Sequence, residues 1–153
     1  MLDTNIVLDA FLFGDPAARP LHDGLVAGQL HWLATAAMRE ELQRVLDYPQ
    51  LVPWLANTRV APHDVLAAFD RYAQPLPAAP RAPLCCRDPD DQMFIDLAVQ
   101  QRCTLLSKDR AVLALARRLA QLGVHAAPAL GRAGGDQPPK ASLNQSVDGT
   151  SRA

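Results

Sequence analysis

Apolar positions recur along this chain in short bursts whose spacing alternates between strand-like and helix-like. Met1 and Leu2 lead into the polar corner Asp3-Thr4-Asn5, after which Ile6, Val7, Leu8, Phe11 and Leu12 resume at helical spacing. That order predicts the last residues of a strand, a corner and a helix. Gly14-Asp15-Pro16 reads as a turn, and Leu21, Leu25 and Val26 as a helix that stops at Gly28. His31 to Ala34 predicts a short strand. Thr35 suits the N-cap of a helix over residues 36–47, which Tyr48-Pro49 ends. Leu51, Val52, Trp54 and Leu55 form a short apolar helical piece, and Pro62-His63-Asp64 opens a helix with Val65, Leu66 and Phe69 inward. Prolines at 75, 77, 80 and 83 predict an extended connector, and Leu84 to Cys86 a short strand or extended stretch. A helix follows from Asp88-Pro89-Asp90-Asp91 to about residue 102, then a buried-type strand from Cys103 to Ser107. A helix over 110–122, stopped by Gly123, and a last strand over 124–127 complete the pattern. Helices alternating with short apolar strands argue for an α/β fold whose parallel sheet is covered on both faces.

From residue 131 onward Gly, Pro, Ser, Gln and Asp dominate, which predicts one domain over 1–130 and a disordered tail over 131–153. A chain of 153 residues, about half apolar, can bury a real core. A net charge of −1 gives no basic footprint, so charge alone neither implies nor excludes a nucleic-acid partner. The three cysteines match no zinc spacing and read as reduced thiols. Without a signal-like segment or a run of roughly 20 apolar residues, the expectation is a cytoplasmic protein off the membrane.

The acids carry the candidate chemistry. Asp3 follows a strand end, where open α/β sheets bind ligands, although a helix N-cap explains it equally well. Glu40 and Glu41 are the only glutamates. Glu41 shares its helical face with Met38 and Val45, so it points toward the core, whereas Glu40 has Arg44 four residues on as a surface partner. An inward carboxylate is costly unless paired or metal-bound. In the second cluster, Asp88 before Pro89 reads as N-cap and N1, and Asp90 complements the helix dipole. Asp91 lies on the face of Phe94, Ile95 and Ala98, while Asp96 falls with Gln92 and Gln100 and reads as solvated. Asp109 stands after a strand and could cap the helix beyond it, with Ser107 a rival for that role. No set of inward Arg or Lys is evident to pair Asp3, Glu41, Asp91 and Asp109. Clustered carboxylates repel unless a cation sits among them, and hard oxygen ligands select Mg²⁺ or Mn²⁺, one or two ions. Such ions activate water and stabilise the oxygens of an in-line phosphoryl displacement.

These pieces resemble the PIN-domain ribonucleases, in particular the bacterial branch related to VapC toxins. The matching stretches are Leu2 to Leu8, Arg39 to Leu46, Asp88 to Phe94 with Ala98, and Leu105 to Asp109. They run in the family's order and span about residues 1–127, although fewer apolar residues precede Asp3 than the family carries there. The resemblance implies a three-layer α/β sandwich with a central, mostly parallel sheet flanked by helices. It further implies a Mg²⁺/Mn²⁺-dependent endoribonuclease with Asp3, Glu41, Asp91 and Asp109 as metal-binding acids. Asn5 would support the Asp3 corner and Ser107 the Asp109 corner by hydrogen bonding. RNA as substrate, a cognate antitoxin and a homodimer come with the same resemblance.

Two other readings compete. A module that keeps its acids but only binds RNA or a partner protein could admit a partner's Arg among the carboxylates. An aspartyl-phosphate enzyme ranks low, because Asn5 stands where a second Asp is expected. No Gly-rich phosphate loop or Walker lysine is present. Arg110, Arg117 and Arg118 are candidates for substrate grip, each with a solvated helix face as the plainer account.

Overall fold

Two pairs of short parallel strands form the centre of the fold. The computed structural model describes residues 1–131, so the tail expected over 131–153 lies, from residue 132 on, outside the described residues. Strand β1 (Trp32–Ala34) pairs in parallel with β2 (Ala73–Pro75), and β3 (Leu105–Leu106) with β4 (Ala126–Ala127). Leu2 adds a parallel bridge to Leu106 on the other side of β3. Asp3 N–H donates to the Leu106 carbonyl and Leu106 N–H to the Met1 carbonyl, each at 3.0 Å.

Among the described residues, eight α-helices surround these strands: α1 (Thr4–Leu8), α2 (Arg19–Val26), α3 (Ala36–Leu46), α4 (Val52–Asn57), α5 (Pro62–Tyr72), α6 (Gln92–Gln101), α7 (Arg110–Leu113) and α8 (Ala116–Gln121). Beyond Leu8, α1 continues as a wider π-type turn, Asp9–Phe13, and Gly14 ends it in a left-handed conformation with φ 63°. Thr35 caps α3 by accepting from Met38 N–H. Its buried face is Met38, Leu42 and Leu46, at the spacing of one helix side. Helix α6 buries Phe94, Ile95, Leu97 and Ala98, more than one face, because it lies within the core. The core is built on Trp32, Leu42, Val65, Phe94, Leu105, Val112 and Leu119. Phe11 stacks on both Trp32 and Tyr72, and Phe69 meets Trp32 edge-on, which ties the end of the first helix to β1 and α5. On the surface, Arg39 forks onto both oxygens of Asp70 and joins α3 to α5.

Two expectations need correction. Pro75, expected as the first residue of the connector, is instead the last residue of a strand; it is tolerated because β2 lies at a sheet edge, paired with β1. For Leu84 to Cys86, expected as a strand or an extended stretch, no strand forms. The single helix expected over 110–122 breaks into α7 and α8 around Ala114 and Leu115.

Candidate metal centre

Asp3, Asp88 and Asp109 are placed by turns that their own side chains cap. Asp3 leaves the Leu2 bridge and caps α1: its Oδ1 accepts from Asn5 N–H at 2.8 Å. Its Oδ2 accepts from the Ser107 hydroxyl. Ser107 is fully buried and its oxygen also accepts from Asp109 N–H at 3.0 Å, so one hydroxyl couples the two strand-end aspartates. Asp109 in turn caps α7, its Oδ1 accepting from Ala111 N–H at 2.8 Å. Asn5 therefore supports the Asp3 corner through its backbone, and its own side chain is exposed.

Glu41 is half-buried on α3, and its Oε2 accepts from the Thr4 hydroxyl at 2.8 Å. This bond joins the second acidic helix to the residue next to Asp3. Glu40 is exposed but makes no ion pair with Arg44 among the described residues, contrary to expectation. Asp91 is buried at the start of α6, facing inward as its phase with Phe94 and Ile95 predicts.

The tightest grouping includes a residue that sequence reasoning assigned only to capping. Carboxylate oxygens of Asp88, Asp91 and Asp109 lie within 4.8 Å of one another. Asp88 does cap the turn, its Oδ1 accepting from Asp90 N–H at 3.0 Å. A cap occupies one carboxylate oxygen, and the second stays available. The Asp-x-x-Asp spacing was the missed signal, because residues three apart share a side of a helical turn. Asp3 and Glu41 lie outside the 4.8 Å group, yet the charges of Asp3 and Asp91 act on one another.

The segment before Asp88 is held by a buried amide. Gln92 Oε1 accepts from Cys86 N–H at 2.7 Å, and its Nε2 donates to the Leu84 carbonyl at 2.9 Å and to Asp96 Oδ1 at 2.8 Å. Asp96 also accepts from Ala82 N–H at 2.9 Å. Asp96 and Gln92 thus bracket residues 82–86, and Asp96 is not the solvated side chain expected from its helical phase.

Electrostatics follow from this crowding. Burial, then the neighbouring Asp109, pushes the Asp91 carboxyl up to about 8. Burial also raises Asp3 and Glu41, opposed by the hydrogen bonds from Ser107 and Thr4 respectively. Among the described residues the ion pairs are His22–Asp23, Arg39–Asp70, His63–Asp64 and Lys108–Asp9, and none involves the site acids. Asp91 Oδ2 is buried with no hydrogen-bond partner at all. An orphaned buried carboxylate oxygen among hard oxygen donors fits a divalent cation. Arg110, Arg117 and Arg118 are exposed on α7 and α8.

Parallel strands with aspartates at their carboxyl ends, and helix-borne acids beside them, make this an α/β domain with an acidic centre. Comparison with protein families agrees: the PIN domain matches residues 1–111, and the chain belongs to that family. Members of the family are generally nucleases that act on RNA. No curated protein sequence matches the chain. Among the described residues, no helix is long and apolar enough to cross a membrane.

Proposed function

We propose that this chain is a Mg²⁺- or Mn²⁺-dependent endoribonuclease, the toxin component of a toxin–antitoxin pair. The observation that carries the reading is the buried, unpartnered Asp91 oxygen within the Asp88–Asp91–Asp109 group. Asp88, Asp91 and Asp109 would hold one ion, and Asp3 and Glu41 complete the acidic wall on its strand and helix sides. A divalent ion bound there supplies water activation and positive charge opposite the phosphodiester oxygens. Ser107 and Asn5 N–H fix the Asp3 carboxylate, and Thr4 fixes that of Glu41. Burial raises both carboxyls above the ordinary range, as a site built to hold a cation would. No side-chain nucleophile is required. An antitoxin would neutralise the site by placing an Arg among the carboxylates.

The deciding experiment incubates single-stranded RNA with Mg²⁺ or Mn²⁺ and the parent protein, Asp3→Asn, Asp91→Asn or Asp109→Asn. Cleavage by the parent and its loss in all three variants is expected. Equal activity in parent and variants, or none in the parent with either ion, overturns the reading. Co-expression with the product of an adjacent small reading frame tests the toxin role, since a true antitoxin suppresses the cleavage.

A further inference from the structure

Three acids are buried among the described residues: Asp3, Asp91 and Asp9. The acidic centre uses the first two, and the third has a partner of its own. Asp9 Oδ2 lies 2.5 Å from the Lys108 ammonium, and the Asp9 side chain is only 9% exposed. In the other ion pairs among the described residues, His22–Asp23, Arg39–Asp70 and His63–Asp64, both partners are more than a third exposed and add little to the fold. Burying a charge is costly even when it is paired, and a well-packed apolar pair of similar volume often serves stability as well or better. Stability therefore gives no reason for Asp9 and Lys108, but their place in the fold does.

Lys108 lies between the two residues that shape the strand-end corner. The ladder of β3 ends at Ser107, whose N–H donates to the Ala127 carbonyl at 3.0 Å, and α7 starts at Arg110. Ser107 turns its side chain to the Asp3 carboxylate and Asp109 turns to Asp88 and Asp91, while Lys108 between them turns to Asp9. Asp9 is an anchor fixed by its own backbone. Its N–H donates back to the Asn5 and Ile6 carbonyls. Its carbonyl accepts from Gly14 N–H and, at 3.0 Å, from Asp15 N–H, which closes the π-type turn. Such turns recur within helices at functional sites. Six residues of rise separate Asp9 from Asp3, about 9 Å along the helix. The corner is thus tied to this helix twice, Ser107 to Asp3 at its start and Lys108 to Asp9 further along. One tie leaves a pivot, whereas two separated ties stop rotation as well as sliding.

We propose that Asp9 and Lys108 are positioning residues of the metal centre: their ion pair locks the Ser107–Asp109 corner onto the helix that Asp3 caps, and so sets the spacing of the acids for a small cation. The locking stands on the fold alone, and its effect on the cation rests on the metal-dependent reading. Neither residue belongs to the group whose oxygens lie within 4.8 Å of one another, so both act through Ser107 and Asp109. Mg²⁺ demands near-ideal octahedral geometry, whereas Ca²⁺ accepts irregular coordination. A corner free to pivot therefore loses Mg²⁺ more than Ca²⁺.

Removing one partner strands the other charge, so the test removes both, as Asp9→Leu with Lys108→Met. Circular dichroism and the urea midpoint report whether this double variant is folded. Asp9→Asn with Lys108→Met, which changes less volume, serves where it is not. In EDTA, amide exchange of the full chain is read at Asp109 N–H and Asn5 N–H, which bond to Ser107 Oγ and Asp3 Oδ1. Phe94 and Ile95 N–H in α6 are the references for the fold as a whole. The first two amides should exchange roughly tenfold faster than in the parent while the references hold. Lys108→Arg, which keeps the charge, should exchange as the parent does. By calorimetry, Mg²⁺ affinity of the double variant should fall roughly tenfold, and Ca²⁺ affinity by less. Unchanged exchange at Asp109 and Asn5 overturns the proposal, and so does equal acceleration at Phe94 and Ile95, which is loss of fold. Equal loss of Mg²⁺ and Ca²⁺, or no loss of either, overturns the claim that the pair sets the spacing for a small cation. If the parent binds neither ion and the two amides still lose protection, the lock stands and the metal-dependent nuclease reading falls.

Discussion

Ser107 donates its hydroxyl to the carboxylate of Asp3, a residue 104 positions earlier in the chain, and with the same oxygen accepts from Asp109 N–H. One buried hydroxyl therefore sets the orientation of one strand-end aspartate and the backbone of the other. Replacing it with Ala leaves a buried carboxylate oxygen and an N–H without this partner. Ser107→Ala should lose about 1–3 kcal/mol of stability, read as a lower urea midpoint at unchanged slope. Cleavage should fall with it at temperatures where the variant is fully folded.

Asp91 predicts an opposite sign. Its carboxylate is buried beside Asp88 and Asp109 with one oxygen unpartnered, so without a cation its charge works against the fold. Asp91→Asn should raise the melting temperature in EDTA at pH 8, at ~2–4 °C for each kcal/mol of repulsion relieved. The same variant should lose the upward shift that Mn²⁺ gives the parent. A lower melting temperature in EDTA would contradict this account of Asp91.

The pH dependence follows from the same residue. Its folded-state pKa is raised from 3.8 to about 8, so between those values the folded chain binds more protons than the unfolded one. Unfolding free energy then decreases as pH rises, and the contribution is present in full only below the unfolded value. The metal-free protein should lose stability steadily from about pH 4 to about pH 8. Asp91→Asn should flatten that decline, and the thermal shift from added Mg²⁺ should be larger at pH 8 than at pH 5. Melting curves across this range in EDTA and in Mg²⁺ give the comparison.

Gln92 touches no reacting group, yet it fixes the segment that presents Asp88 through Leu84, Cys86 and Asp96. Gln92→Leu preserves much of the volume and strands those partners. It should cost about 2–3 kcal/mol in chemical denaturation. Mn²⁺ affinity, followed by titration, should fall at least about tenfold, as is usual when the support of a ligand is removed.

What the sequence makes legible here is local phase. Helical spacing separates Glu41 from Glu40 and Asp91 from Asp90, and in the fold Glu41 is half-buried and Asp91 buried, while Glu40 and Asp90 are exposed. Capping chemistry was equally legible: Asp3, Thr35, Asp88 and Asp109 all accept backbone N–H bonds at helix or turn starts. The misreadings share a different cause. Asp96 looked solvated because its partner, Ala82 N–H, arrives from a loop fourteen residues earlier, which periodicity does not register. β2 escaped notice because its residues are half-buried or exposed and one is Pro75, so no apolar run announces it. Asp88 was explained by its cap, and that explanation accounted for only one of its two oxygens.

The pairing of Leu2 with Leu106 has a consequence for the order in which the acidic group can assemble during synthesis. Asp3 is made 104 residues before Ser107, the residue whose hydroxyl orients it. Asp88, Asp91 and Asp109 cannot gather until the final strand-end aspartate has emerged. A nascent chain halted at Leu106 carries Asp3, Glu41, Asp88 and Asp91 without Asp109 to close the group. Assembly of the acidic group therefore waits until translation has passed Asp109.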